Sequence, residues 1–127
     1  MNKEKIVTEN APVAIGPYSQ AIRAGGLVFF SGQIPLDPST GQLVGGGIVP
    51  QTEQVLRNML AMLEAAGLEP ADVVKTTIYL ADLGDFPVVN ELYAELFVDP
   101  APARATVGVA ALPKGAAIEI EWIACAG

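Results

Sequence analysis

Three side chains near the end of the chain have the types and spacing needed to bind and activate a small polar molecule. Arg104 follows the apolar stretch 100–103, and Glu119 and Glu121 alternate with isoleucines on one predicted strand. A guanidinium can bind a carboxylate through two parallel hydrogen bonds. A carboxylate with a tuned pKa can hold a water molecule and accept its proton. These residues therefore indicate either a site for an anionic substrate or a structural ion pair between the arginine and Asp99, Glu119 or Glu121.

The composition excludes several kinds of catalytic site. The chain has no histidine, which excludes Ser–His and Cys–His nucleophile systems and histidine-based metal sites. The single cysteine, Cys125, allows no disulfide framework and predicts a reducing compartment such as the cytoplasm. We expect this cysteine to be a small buried hydrophobe. The carboxylates show no clustering typical of a hard-cation site, so we expect no metal.

The charge balance also limits the partners. Asp and Glu number 14 against 7 Lys and Arg, which gives a net charge of −7. Such a chain repels a phosphate backbone, and no basic cluster offsets this, so we expect no nucleic-acid partner. No apolar run approaches the roughly 18 residues of a membrane-spanning helix. The first ten residues lack the apolar segment of a signal peptide, so we expect neither a membrane segment nor a secretory leader.

The elements that must position these residues follow from hydrophobic periodicity and turn residues. The length predicts one domain, 1–127. The patterns predict strands over 5–8, 19–24, 27–33 and 73–81, helices over 50–66 and 86–97, and a β-hairpin over 100–124 with its turn at 112–116. This order, β-β-β-α-β-α-β-β, is typical of an α+β domain with both helices on one face of a mixed sheet.

Two local details of this prediction can be checked. Alternation along the strand over 73–81 places Val74, Thr76, Ile78 and Leu80 on one face. Asp85 precedes Phe86 and is of a type that caps helices, so we expect it to cap the second helix.

The other face of the sheet must also be covered, and the sequence offers no third layer. Hydrophobic residues make up 51% of the chain, and the mean hydropathy is +0.41. This apolar excess without a membrane segment predicts self-association.

Six motifs together resemble the RidA/YjgF family of small imine deaminases. They are GPYSQA at 16–21, FFSGQIPLDP at 29–38, VVNELYAELF at 88–97, PAR-x-x-V at 102–107, ALPKG at 111–115 and IEIEWIA at 118–124. They follow one another in the family order and cover nearly the whole chain. The resemblance implies a chorismate-mutase-like homotrimer with clefts between subunits.

The resemblance also implies roles for individual residues. Arg104 would grip the substrate carboxylate, and Glu121 would activate water together with the backbone carbonyl of Thr106. Many family members carry cysteine at position 106, so the threonine disfavours a thiol mechanism and leaves water attack intact. Glu119 would be structural.

Four further positions match residues that line the family cleft: Tyr18, Ser31, Gly32 and Asn90. Each has a simpler reading from the residues alone. Tyr18 can close a loop, Ser31 can satisfy backbone groups in a strand, and Asn90 can lie on a helix surface. Gly32 allows a ligand to approach the backbone closely. Matched in order, the four indicate substrate binding.

The implied reaction is hydrolysis of reactive 2-imino or enamine acids, such as 2-iminobutanoate and 2-iminopropanoate, to 2-oxo acids and ammonia. Because an imine carbon is already electrophilic, this reaction implies no cofactor. Three alternatives remain open. The chain could be a binding module without turnover, an interaction protein with the translation-inhibitor or ribonuclease role attached to parts of the family, or a deaminase of another enamine.

Overall fold

The computed structural model describes residues 2–126, and these form one sheet with two helices. The strands are β1 Glu4–Ile6, β2 Ala21–Ala24, β3 Leu27–Gln33, β4 Val73–Leu80, β5 Ala103–Gly108 and β6 Ile118–Cys125; the helices are α1 Ile48–Ala65 and α2 Phe86–Leu96. The predicted element order and the α+β class are confirmed. No helix in this described range is both long and apolar enough to cross a bilayer.

The six strands lie in the order β1-β2-β3-β6-β4-β5, and only β4 and β5 run parallel. The predicted hairpin over 100–124 is therefore wrong, because β4 lies between its two arms. The cause is the crossover through α2, which returns the chain to the outer side of β4 as a parallel neighbour. β6 then pairs antiparallel with β3 and β4 in the centre of the sheet.

Both helices pack against the same face of the sheet. The α1 stripe contributes Val55, Met59, Met62 and Leu63, and α2 contributes Val89 and Tyr93; all of them are buried with alternate residues of β3, β4 and β6. On the sheet side of this core, the Phe30 and Trp122 rings stack with centroids 4.6 Å apart. Burying this apolar face provides the main driving force for folding.

The ends of the helices explain where they start and stop. Gly47 precedes α1 with φ of 93°, and Gly67 follows it with φ of 73°, both of which glycine adopts without a steric cost. Asp85 occupies the N-cap position of α2, but its side chain caps nothing. Asp82 accepts a hydrogen bond from the Gly84 amide instead, at 2.8 Å, because a 3-10 turn precedes the helix.

Two irregularities shift side chains relative to simple alternation. The β4–β6 register slips between Val73 and Lys75, and this leaves Val74 exposed instead of on one face with the buried Thr76, Ile78 and Leu80 as predicted. The β3–β6 register slips between Phe30 and Gln33, so that Ser31 and Gly32 form a bulge opposite β6.

The second face of the sheet is not covered by any described part of the chain. It presents Phe29 from β3, Tyr79 from β4 and Glu119 and Glu121 from β6. Cys125 follows the same alternation and is exposed, so the prediction that it is buried is wrong.

Candidate active site

The β3 bulge forms one wall of a cavity on the uncovered side of the sheet. Its lining consists of Tyr18, Ser31, Gly32, Ile34, Pro113 and Glu119. The cavity continues into a larger one of about 320 Å³, with which it shares all of these residues except Glu119. Apolar side chains, including Val13, Ile15 and Leu36, line most of the larger part. The two together form a concave site with few polar groups, as small-molecule sites usually do.

Ser31 and Tyr18 are held in this wall by short-range contacts. The Ser31 hydroxyl donates to the Ser19 carbonyl at 2.6 Å, and the Ser31 amide donates to the Gln20 carbonyl at 3.0 Å. Tyr18 is about half exposed, at 54%, and its hydroxyl accepts a long bond of 3.4 Å from the Ile15 amide. Because the Ser31 hydroxyl already donates its proton to Ser19, it can only accept a hydrogen bond from a ligand. The Tyr18 hydroxyl, which only accepts a bond here, can still donate its own proton.

Glu119 supplies the carboxylate of this cavity. Its side chain lies against the backbone of Gly32, and a β-carbon at that position would stand 2.9 Å from the Glu119 Cδ. Burial raises the pKa of the Glu119 carboxyl, and the negative charge of Glu121 raises it further. A carboxyl group of this kind can exchange protons closer to neutral pH than an exposed one.

Glu121 lies on the same face but outside the cavity lining. Its carboxylate accepts a hydrogen bond from the Tyr79 hydroxyl on the neighbouring strand. This bond raises the pKa of Tyr79, with burial as a smaller cause. The register between β3 and β6 leaves Ser31 and Gly32 opposite Glu121, but Glu121 is not among the residues that line the cavity with Tyr18, Ser31 and Gly32.

Arg104 lies at the other edge of the sheet, against α2. Its Nη1 donates to the Asn90 Oδ1 at 2.8 Å, and its guanidinium carbon lies 4.9 Å from the centre of the Tyr93 ring and 5.2 Å from that of Phe86. These two rings hold the guanidinium group through cation–π attraction. Only one of its five N–H donors is used in the described chain, so it keeps donors free for a carboxylate. The structure thus brings Arg104 and Asn90 together, as predicted for substrate-binding residues.

Thr106 follows Arg104 on β5 and faces the same way. In the register with β4, Arg104 pairs with Thr76 and Thr106 with Ile78, both of which point toward the helices. The Thr106 Oγ1 is buried and has no hydrogen-bond partner among residues 2–126. β5 is an edge strand, so half of its backbone groups point away from β4.

The predicted residues therefore divide into two groups on opposite faces of the sheet. Arg104 and Thr106 belong to the helix-covered side at one edge, whereas Glu119 alternates with the buried Ile118 and Ile120 and points to the uncovered side. Within one described chain, the Arg104 guanidinium and the cavity that contains the Glu119 carboxylate therefore face different directions.

Comparisons with known proteins agree with this arrangement of sheet, helices and motifs. The model of the family described as Endoribonuclease L-PSP matches residues 8–126. A RutC family protein of Pyrococcus horikoshii is 58% identical over 122 residues, which covers 96% of this chain and 97% of that protein. The human 2-iminobutanoate/2-iminopropanoate deaminase is 53% identical over 122 residues, which covers 96% of this chain and 89% of that protein. The chain belongs to the RidA/YjgF family.

A solved structure of this family gives the same fold. The YjgF gene product of E. coli superposes with a TM-score of 0.89 at 48% identity, over 96% of this chain and 98% of that one. The RidA/YjgF fold predicted from the six motifs is therefore confirmed.

Sequence reasoning on this RidA/YjgF chain predicted water activation by Glu121 and a structural role for Glu119, whereas the cavity lining includes Glu119 and not Glu121. Alternation placed Glu119 and Glu121 on one face and could not separate them. What separates them is the Ser31–Gly32 bulge, because it opens the cavity next to Glu119 only. The pair Ser31-Gly32 inside a strand was a usable signal, since an internal glycine often marks a bulge. Among residues 2–126, no three acidic or cysteine side chains lie close enough together to hold a metal ion.

Proposed function

We propose that this protein is a hydrolytic deaminase that converts reactive 2-imino acids, such as 2-iminobutanoate and 2-iminopropanoate, to 2-oxo acids and ammonia. The observation that carries the proposal is the half-buried Glu119 carboxyl at an otherwise largely apolar cavity, with its pKa raised. The name of the human relative supports this substrate class. The proposal moves the proton-transfer role predicted for Glu121 to Glu119, because Glu119 lines the cavity and Glu121 does not.

Glu119 would act first as a base and then as an acid. As the water oxygen bonds to the imine carbon, Glu119 takes the water proton, and the C=N electron pair moves to nitrogen. Glu119 then returns the proton to nitrogen, which gives a carbinolamine. In a second cycle Glu119 passes the proton of the carbinolamine hydroxyl to the amino nitrogen; as the C=O bond forms, the C–N bond breaks, and ammonia leaves a 2-oxo acid. The imine carbon is already electrophilic, so this addition requires no cofactor. A raised pKa suits a group that must both accept and donate a proton.

Arg104 would hold the substrate carboxylate. The Asn90 amide and the rings of Phe86 and Tyr93 fix its guanidinium while leaving most of its N–H donors free. The backbone carbonyl of Thr106, two residues further along the same edge strand, would help to hold the attacking water. Tyr18 and Ser31 would complete the cavity, one as a donor and the other as an acceptor.

We infer that the site forms between two copies of the chain in a homotrimer. Arg104 and Glu119 face opposite sides of the sheet in one chain, so one substrate can reach both only if they come from different subunits. The uncovered sheet face, with Phe29 at 43% exposure, supports such an assembly. Light scattering should give three times the chain mass of 13.2 kDa. A persistent monomer would contradict the shared site.

The direct test compares two isosteric variants of neighbouring residues. With 2-iminobutanoate generated by an amino-acid oxidase, Glu119→Gln should slow imine decay roughly 10²- to 10⁴-fold, the usual contribution of a general acid–base group. Glu121→Gln should cost at least tenfold less, because its carboxylate touches Tyr79 rather than the cavity. Equal losses, or the reverse order, would reject the assignment of the base.

Mixing two impaired variants, assayed below saturating substrate, tests whether the site is shared. If Arg104→Lys and Glu119→Gln chains co-assemble at random, about one quarter of the interfaces combine two intact halves, so activity should return to about one quarter of the parent. Sites contained within single chains would give no recovery. Each variant refolded alone is the control.

The description of the matching family raises RNA cleavage as a second reading. The net charge of −7 opposes binding of a phosphate backbone, and the cavity presents a carboxylate. We therefore favour the deaminase. Cleavage of RNA by the parent, lost in Glu119→Gln, would reverse this preference.

A further inference from the structure

Two carboxylates stand side by side on β6 without a cation between them. Glu119 and Glu121 are separated by one residue and point to the same face of the strand. Among residues 2–126, the only ion pair joins Arg23 and Glu4, so no lysine or arginine of this part of the chain neutralises either glutamate. Like charges at such a spacing repel each other, and a free side chain would turn away into water.

Tyr79 prevents Glu121 from turning away. In the register between β4 and β6, Tyr79 lies directly opposite Glu119, and Thr77 lies opposite Glu121. The Tyr79 hydroxyl reaches diagonally to the Glu121 carboxylate and donates a hydrogen bond to it. The negative charge of Glu121 is thereby kept beside Glu119.

The other described groups around Glu119 include no second carboxylate that could replace Glu121. β3 contributes Ser31 and Gly32, which do not titrate, and the loops contribute Tyr18 and Lys114 at the cavity wall. β4 contributes Lys75, which lies beyond Thr77 and opposite Ile123. The charge of Glu121 is one of the two causes that raise the pKa of Glu119, and burial is the larger one.

We propose that Tyr79 is a positioning residue, which fixes the Glu121 carboxylate beside Glu119 and so keeps a proton available on Glu119 for the departing amine. This inference rests on the proposed function, because it gives the second carboxylate a task in the same reaction. Glu121 does not touch the substrate. Its charge keeps Glu119 protonated to a higher pH than burial alone does.

The experiment follows the Glu119 proton directly and does not depend on turnover. The carboxyl carbons of ¹³C-labelled protein are titrated by NMR, and Glu119→Gln identifies the Glu119 signal. In Glu121→Gln the charge that lies beside Glu119 in the parent is removed. We expect the titration midpoint of Glu119 to move to lower pH in Glu121→Gln. It should move in the same direction in Tyr79→Phe, a variant that loses only the hydroxyl group. Glu53→Gln removes an exposed charge on α1 and should move nothing.

The pH profile of imine decay supplies the second readout. In Tyr79→Phe and Glu121→Gln, the limb that reports loss of the Glu119 proton should shift to lower pH with the NMR midpoint. An unchanged midpoint in Glu121→Gln overturns the coupling, and a shift in Glu121→Gln without one in Tyr79→Phe overturns the role of Tyr79. If the parent hydrolyses no imine while both midpoints shift, the proposed function fails and the positioning of Glu121 stands.

Discussion

The Glu119 carboxylate lies directly on the backbone of Gly32, in space that any other residue at position 32 would fill with its β-carbon. Such an atom would stand 2.9 Å from Cδ and 3.2 Å from Cγ of Glu119, and closer still to Oε2. The added β-carbon would be attached to the backbone and could not shift, so the Glu119 side chain would have to move instead. The bulge in β3 and the glycine within it thus set the position of the cavity carboxylate.

Gly32→Ala should therefore displace Glu119 and lower imine turnover. A misplacement of about 1 Å can cost roughly a hundredfold in rate, so we expect a loss of at least tenfold in kcat/KM. Gly45→Ala is the matched control, since a β-carbon there meets nothing within 4 Å. Equal activity of the two variants would show that Glu119 is free to move without consequence.

Glu119→Gln should stabilise the protein at neutral pH. The folded-state pKa of Glu119 is raised, so folding favours its protonated form. The contribution of this group to stability is complete below its unfolded pKa and is lost as the pH rises through the folded pKa. Glutamine avoids that loss, so its advantage in Tm should be present at pH 7 and shrink toward pH 4. Thermal melts at several pH values measure it, and an advantage independent of pH would contradict the assignment.

Arg104→Lys should weaken binding of 2-oxobutanoate. Lysine keeps the charge but loses the planar fork and the stacking on Phe86 and Tyr93. One charged hydrogen bond lost is worth roughly 1.5–3 kcal/mol, or about ten- to hundredfold in Kd. Calorimetry measures this, with Arg57→Lys as a control because Arg57 bonds only to Gln54 on α1 in the described chain. Unchanged affinity would make Arg104 a structural residue.

Thr106→Val should keep both turnover and stability. The Thr106 Oγ1 is buried without a partner among residues 2–126, so its replacement by a methyl group removes an unmet hydrogen-bonding need. The free energy of unfolding should stay the same or rise by up to about 1 kcal/mol. Only the backbone carbonyl is assigned a role, and valine leaves it in place. A tenfold fall in kcat would show that the hydroxyl takes part.

Local signals predicted most of the fold. The apolar stripe from Val55 to Leu63 and Gly67 after it predicted the first helix over 50–66, close to the observed Ile48–Ala65. The run Leu27–Gln33 was predicted with its observed bounds. The pairing of β5 could not be predicted in the same way. Segments 103–108 and 118–125 follow each other in the chain like a hairpin, and only the crossover through α2 places β4 between them.

The sequence supplied candidate site residues but not their geometry. Arg104 and Asn90 meet because β5 and α2 are neighbours, which the order of elements does not reveal. The choice between Glu119 and Glu121 depends on a one-residue slip between β3 and β6. Registers of this kind follow from packing of the whole sheet, so no pattern within either strand could supply them.

The stacked pair Phe30 and Trp122 gives the protein an optical reporter. Trp122 is the only tryptophan of the chain, is almost fully buried, and lies on β6 next to Glu121. Its fluorescence therefore arises from a single, apolar environment directly behind the carboxylate-bearing face. Emission at short wavelength reports an intact core, and a change on adding a 2-oxo acid reports movement of the strand that carries both glutamates.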